Sequence, residues 1–295
     1  MLKIYKEPII QKIKEPFFSH NGVEVFIKRE DLIHPFVSGN KWRKLKYNLE
    51  EATRLQHKTV LTFGGAFSNH IYATSAAANE VGFKSIGIIR GEELADKPLN
   101  KTLAFAKNQG MQLEFVSREN YRSKAEDNYI DQLRDIYGDF YLIPEGGTNN
   151  LAIKGCEEIV DEEVKQFDYL CLSVGTGGTI SGVITAVDKD QIVIGFSALK
   201  GDFLIKEVAD LLSNYTAAEH SNWHIETDYH FGGYAKTKPE LNEFIEEFNS
   251  NHNFPIEPIY TGKMMFGLYD KIKKGDFRSG SKILAIHTGG LQRRE

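Results

Sequence analysis

The stretch Tyr169-Leu170-Cys171-Leu172-Ser173-Val174, followed at once by Gly175-Thr176-Gly177-Gly178-Thr179-Ile180-Ser181-Gly182, passes from an unbroken apolar run through a glycine-rich turn into a helix start. Strands that are apolar throughout, and not at every second residue, are covered on both faces, which is the habit of parallel sheets. A turn of glycines and hydroxyls that opens a helix leaves backbone N–H groups free to cradle an anion. It is not a Walker A loop, because no Gly-Lys-Ser/Thr follows. Nor is it a dinucleotide fingerprint: Ile180 stands where the third glycine belongs, and Asp188 and Asp190 fall before the next strand, leaving no acidic residue for a ribose. A single phosphate is the ligand that fits, with a purely structural turn as the plainer alternative.

Outward from this run, short β-rich segments recur and several end at glycine: Val23–Lys28, Thr59–Phe63, Ser85–Ile89, Leu113–Val116, Phe140–Ile143, Ile192–Ala198 and Lys282–Ile286. Helical spacing separates them at Asn40–Leu55, Asn69–Val81, Asn100–Asn108, Tyr129–Ile136 and Leu241–Phe248. Strands alternating with helices predict an α/β protein of doubly wound open sheets. The segment Glu92–Asp139 is more polar than its flanks, so a small domain (45–148) is expected within a larger one (1–44 plus 149–295). Ligands of such sheets bind beyond the carboxyl ends of the strands, where the glycine loops lie.

Composition narrows the function. The chain has 295 residues, 41% hydrophobic and 26% charged, ordinary for a globular protein with ample core. A net charge of −5 argues against a general nucleic-acid binder, which needs a basic surface. No run approaches the ~18 apolar residues of a membrane span, and Met1–Glu7 has no signal-peptide apolar core. A cytoplasmic enzyme is expected. Cys156 and Cys171 give neither a disulfide framework nor CxxC spacing. Cys171 reads as a buried structural thiol.

Two further constellations carry chemistry. In Ser38-Gly39-Asn40-Lys41-Trp42-Arg43-Lys44, a glycine before a helix-opening lysine lets the backbone turn sharply and aim Lys41 into a cleft. A lysine desolvated there can form imines with carbonyl compounds. Three basic residues at the positive end of a helix call for an anion, unless they are mere surface charge. In Gly64-Gly65-Ala66-Phe67-Ser68-Asn69-His70, Ser68 or Asn69 can cap the following helix, and free amides there would bind a carboxylate. His70 has no second ligand at metal spacing, so no metal site is expected.

Taken together these runs resemble the aminocyclopropane-carboxylate deaminase and D-cysteine desulfhydrase family of pyridoxal-phosphate (PLP) enzymes. The resemblance also takes in Lys28-Arg29-Glu30-Asp31, Ile143-Pro144-Glu145-Gly146-Gly147, Tyr260-Thr261-Gly262-Lys263 and His287-Thr288-Gly289-Gly290, in family order from near residue 26 to 290. It implies the tryptophan-synthase-β architecture (fold type II), a homodimer and a small amino-acid substrate. By that resemblance Lys41 is the Schiff-base lysine and the acid–base group. Lys44 and the loop Gly175, Thr176, Gly177, Gly178, Thr179 hold the cofactor phosphate, and Asn69 bonds its phenolic oxygen. Ser68, Asn69 and His70 sit by the substrate, and Tyr234 and Tyr260 match two active-site tyrosines.

Family deaminases carry glutamate after the second tyrosine and leucine between the last His and Gly-Gly; here Thr261 and Thr288 stand at those positions. A hydroxyl cannot hold a pyridinium as a carboxylate does, so the electron sink is weaker. Ring opening of a cyclopropane needs the stronger sink, and β-elimination of a thiolate asks less. The residues therefore favour a lyase, hydrolase-like in its net outcome, that converts D-cysteine to pyruvate, sulfide and ammonia. Aminocyclopropane-carboxylate deamination and a serine/threonine-type dehydration on the same fold are the alternatives. A catalytically silent ligand-binding protein is the reading from another class, with a nicotinamide dehydrogenase behind it.

Overall fold

A computed structural model describes residues 1–291. The chain opens with β1 (Ile10–Ile13), α1 (Pro16–His20), β2 (Glu24–Lys28) and α2 (Asn40–Arg54). It then builds β3 (Thr59–Gly65), α3 (Asn69–Val81), β4 (Lys84–Arg90), α4 (Lys101–Asn108), β5 (Met111–Val116), α5 (Arg118–Arg122), α6 (Asp127–Tyr137) and β6 (Tyr141–Ile143). The later part holds α7 (Asn150–Glu157), β7 (Tyr169–Val174), α8 (Gly178–Ala186), β8 (Ile192–Ser197), α9 (Phe203–Tyr215), β9 (Trp223–Glu226), α10 (Pro239–Asn251), α11 (Thr261–Lys274) and β10 (Lys282–Ile286).

These strands form two sheets, one of six strands in the order β1-β2-β10-β7-β8-β9 and one of four in the order β5-β4-β3-β6. All pairings are parallel except β1 with β2, where Ile10 faces Lys28. Every strand of the smaller sheet lies between 59 and 143. The division expected at residue 44 falls inside α2, which runs through it unbroken and packs along α7.

Both faces of the large sheet are covered, as unbroken apolar runs predict. Cys171, Ile283 and Ala285 face α10 and α11, while Leu170, Leu172, Leu284 and Ile286 face α8 and α9. The smaller sheet is sandwiched likewise: Val60 packs with α2 and α3, and Leu61 and Phe63 with α5 and α6. Each fully buried aliphatic side chain of this kind contributes about 1.5–3 kcal/mol. The architecture is that of a doubly wound α/β protein with two open sheets.

The Lys28–Asp31 run is scaffolding. Lys28 Nζ donates to Ile159 O (2.8 Å) and pairs with Asp161; Arg29 makes a two-pronged pair with Asp31 (2.7 Å each); Glu30 receives Arg43 (2.9 and 3.1 Å). Breaking a buried pair of this kind leaves an uncompensated charge, which is strongly destabilising.

Candidate active site

A cavity of about 370 Å³ opens where the carboxyl ends of both sheets converge, within the size range of small-molecule and cofactor sites. Gly65 ends β3, Arg90 ends β4, and Gly175, Leu199 and Thr288 follow β7, β8 and β10; all five line it. This is the placement that parallel sheets favour for ligands.

Lys41 reaches the cavity because of the turn before it. Gly39 has φ +62°, and a Cβ there would fall 2.0 Å from the carbonyl oxygen of Thr288, so only glycine lets the two backbones touch. Asn40 N–H then donates to that same oxygen (3.2 Å), and Asn40 Nδ2 to Thr179 Oγ1 (2.8 Å). Of the three basic residues at the start of α2, Arg43 is offset by Glu30 on the far side of the helix. Lys41 and Lys44 line the cavity. Burial, reinforced by the charge of Lys44, pushes the Lys41 amine down to about 7. Burial likewise lowers Lys44 to about 8.

Lys44 marks the glycine-loop end. Its Nζ donates to Gly146 O (3.1 Å), Thr148 Oγ1 (3.0 Å) and Thr176 Oγ1 (3.3 Å). Gly175, Thr176, Gly177 and Thr179 line the cavity there. A Cβ on Gly178, the first residue of α8, would sit 3.1 Å from Lys44 Nζ and 2.9 Å from Thr148 Cγ2. The amides that open α8 and the positive end of its dipole make this an anion site.

On the opposite side, Ser68 caps α3: its Oγ accepts from His70 N–H (3.2 Å) and Ile71 N–H (3.3 Å). Two of the amides expected to await a carboxylate are therefore already used. Asn69 lines the cavity and its Oδ1 is buried with no hydrogen-bond partner. A buried polar atom left unsatisfied is costly, and a bound ligand would relieve it. Tyr234 and Tyr260 form one wall, their rings edge-on with centroids 6.1 Å apart.

Two of the expected residues have partners within the protein. His70 touches the lining, but its Nε2 lies 2.8 Å from Thr62 Oγ1 and its Nδ1 3.4 Å from Thr74 Oγ1. Burial and both lysines hold the ring well below the usual histidine range. Thr261 does not reach the lining; it is fully buried and its Oγ1 accepts from Glu257 N–H (3.0 Å). Thr288 does line the cavity, with its Oγ1 3.2 Å from Ser173 Oγ.

Sequence reasoning gave no role to Glu257, Arg90 or Lys263. Glu257 is buried and its carboxylate accepts from the N–H groups of Ile259 (2.7 Å), Tyr260 (2.8 Å) and Thr261 (2.9 Å), fixing the start of α11. Its signal lay in an acid placed just before a helix N-terminus. Arg90, the last residue of β4, was findable from the strand-end rule.

The residues present fit pyridoxal phosphate: an amine of lowered basicity, a lysine-backed glycine cradle at one end, an unsatisfied amide, and two hydroxyls. A model of the pyridoxal-phosphate dependent enzyme family matches residues 5–289, and the chain belongs to that family. It is an enzyme, and its cofactor is pyridoxal phosphate. Within the family it stands with the aminocyclopropane-carboxylate deaminases and D-cysteine desulfhydrases. It is 32% identical to a bifunctional D-cysteine desulfhydrase/1-aminocyclopropane-1-carboxylate deaminase of Arabidopsis thaliana, over 92% of this chain and 73% of that one. It is 27% identical to a 1-aminocyclopropane-1-carboxylate deaminase of a Bradyrhizobium strain, over 91% and 86%. A crystal structure of an ACC deaminase homologue superposes with a TM-score of 0.83 at 28% identity, covering 99% of this chain and 91% of that one.

Proposed function

We propose that this chain is a lyase that eliminates the β-substituent of a small amino acid, D-cysteine foremost, yielding pyruvate, sulfide and ammonia with uptake of one water. The observation that carries the reading is Lys41, an amine lowered to about 7 on the wall of a cavity that closes on a glycine cradle. At that value a neutral and a protonated form are both available near neutral pH, as a general base and acid require.

Bound pyridoxal phosphate supplies the electron sink. Lys44 and the 175–179 loop would hold its phosphate, Asn69 its phenolic oxygen, and Thr288 with Ser173 its ring nitrogen. Lys41 then moves the proton at the substrate α-carbon. The 65–69 loop would receive the substrate carboxylate, and Tyr234 and Tyr260 would stand over the β-substituent. Hydroxyls at the ring nitrogen give the weaker sink, which suits a thiolate leaving group. The only acid in the cavity lining, among the described residues, is Glu145, held by Tyr121 Oη (2.7 Å) and Lys124 (3.4 Å). The bond-breaking step is an elimination, and water acts only on the released product, so a hydrolase label does not describe it.

The same reading places the catalytic cleft between a large domain (1–44 and 149–295) and a small one (45–148), in a homodimer of the cytoplasm; light scattering of the purified protein tests the dimer. Ring opening of aminocyclopropane carboxylate is the second reading, favoured by the names of the relatives. Purified PLP-loaded protein offered D-cysteine, L-cysteine, D-serine and aminocyclopropane carboxylate separately distinguishes them. Sulfide with pyruvate from D-cysteine is the expected result. Keto acid from the cyclopropane substrate alone would overturn the argument from the hydroxyls.

A further inference from the structure

We propose that Lys263 is a positioning residue whose buried ammonium gathers the carbonyls of Ala198, His230 and Gly233 and so fixes the Tyr234 loop against Tyr260. The role matters for catalysis only if the tyrosines face substrate, so that part rests on the function proposed above.

Three pieces of cavity wall meet at this one nitrogen. Ala198 precedes Leu199 at the end of β8, His230 and Gly233 bracket the approach to Tyr234, and Lys263 lies one turn into the helix that Tyr260 opens. Lys263 is 1% exposed, and its Nζ donates to His230 O (2.8 Å), Gly233 O (2.8 Å) and Ala198 O (3.3 Å). An ammonium has three N–H donors, and all three are used. Its three hydrogen-bond partners are all carbonyl oxygens, and the Glu257 carboxylate acts on it through space. A charge this buried needs compensation, and here carbonyl dipoles provide it.

The loop is anchored on one side by packing, with the Phe231 ring edge-on to Phe266 at 5.0 Å, while its backbone takes an unusual course. Phe231 (φ +53°), Gly232 (+98°), Gly233 (+110°) and Ala235 (+56°) are all in the left-handed region, which an L side chain such as that of Phe231 or Ala235 disfavours. Its own turn bonds, Gly233 N–H to His230 O (3.0 Å) and Gly232 N–H to His230 Nδ1 (2.8 Å), tie it only to itself. The bonds from Lys263 tie it to α11 and β8. Three carbonyl oxygens about one point would also suit a bare monovalent cation if the lysine tip were removed.

The test is Lys263→Met in the PLP-loaded protein, compared with the parent chain in potassium chloride and in tetramethylammonium chloride at equal ionic strength. The expected result is retained cofactor absorbance, faster amide exchange at 230–236, and roughly 100-fold lower kcat/KM, the scale of loss that misplacing a catalytic group brings. Potassium, and not the bulkier ion, should slow the exchange again and recover part of the activity. Unchanged exchange at 230–236 would overturn the proposal, and so would equal behaviour in the two salts. Faster exchange with undiminished turnover would overturn the catalytic part. If the methionine variant does not fold, Lys263→Gln, which keeps two N–H donors, is read the same way. The exchange measurement uses no substrate, so it stands even if all four amino acids prove inert.

Discussion

At its glycine-loop end the cavity is bounded by one continuous run, 173–182, whose amides and hydroxyls act through the backbone and are backed by Lys44. The wall of Tyr234 and Tyr260, whose Tyr260 ring lies against Gly175, comes from two loops far apart in the chain, each secured by a buried charged residue, Lys263 for one and Glu257 for the other. A site made from consecutive backbone is fixed by local geometry and tolerates few side chains. A wall made from remote loops is fixed by what lies behind it. The first kind of construction suits a cofactor that never changes, and the second lets the substrate range shift while the cofactor end stays as it is.

Lys41 belongs to neither wall, and its removal should have the largest effect. Lys41→Ala is expected to lower keto-acid release by about 10⁴-fold, the upper range for loss of a general acid–base group, and to abolish the visible absorbance of lysine-bound cofactor. Retention of both would break the central assignment. Next comes Thr261→Glu. Because Thr261 is fully buried against the Glu257 carboxylate and away from the cavity, the new charge should destabilise the fold by about 3 kcal/mol or more, read as a lower denaturant midpoint. An unchanged midpoint with altered cofactor absorbance would return Thr261 to the ring nitrogen.

Gly178→Ala probes the other end. Its Cβ would press on Thr148 and Lys44 Nζ, an overpacking worth about 1–3 kcal/mol, seen as faster loss of PLP on dialysis; unaltered retention would show that the loop has slack. A further test concerns pH. Lys41 at about 7 and Lys44 at about 8 have released protons in the folded, cofactor-free protein that the unfolded chain holds up to the ordinary lysine value of 10.5. Where the unfolded state binds more protons, stability rises with pH. The melting temperature of the cofactor-free protein should therefore climb above pH 7, and less steeply in Lys41→Met. An identical slope in the variant would mean that burial does not lower the Lys41 amine.

The contrast between the two walls also explains what the amino-acid sequence discloses. The strand, turn and helix start at 169–182 can be read in place, and so can the strand cores of β2–β8 and β10, since each needs only its own apolar run. Edge strands β1 and β9 are short and mixed, Ile-Gln-Lys-Ile and Trp-His-Ile-Glu, and take their pairing from neighbours distant in sequence. Helix α9 does carry a signal, Leu204, Val208 and Leu212 at four-residue spacing; α11 blurs its own with Gly262 and Gly267. Ser68 reads correctly as a helix cap. Nothing local reveals the Glu257 backbone that Thr261 accepts from, or the Thr62 hydroxyl beside the His70 ring. Burial and long-range partners decide such residues, and neither is written in the motif.

Strand β10 lies between β2 and β7, holding together the two parts of the large sheet, and the loop after it supplies the Thr288 carbonyl against which Gly39 and Asn40 turn. During synthesis the glycine loop, both tyrosines and Lys41 itself all leave the ribosome before residues 282–288 do. Until then β1–β2 and β7–β8–β9 are unconnected fragments, and the helix bearing Lys41 has no anchor at its start. Such closure between distant parts of a chain is slow. A nascent chain halted before residue 282 would carry nearly every residue named here and still be unable to form the site, so competence arrives in a single late event, not by degrees.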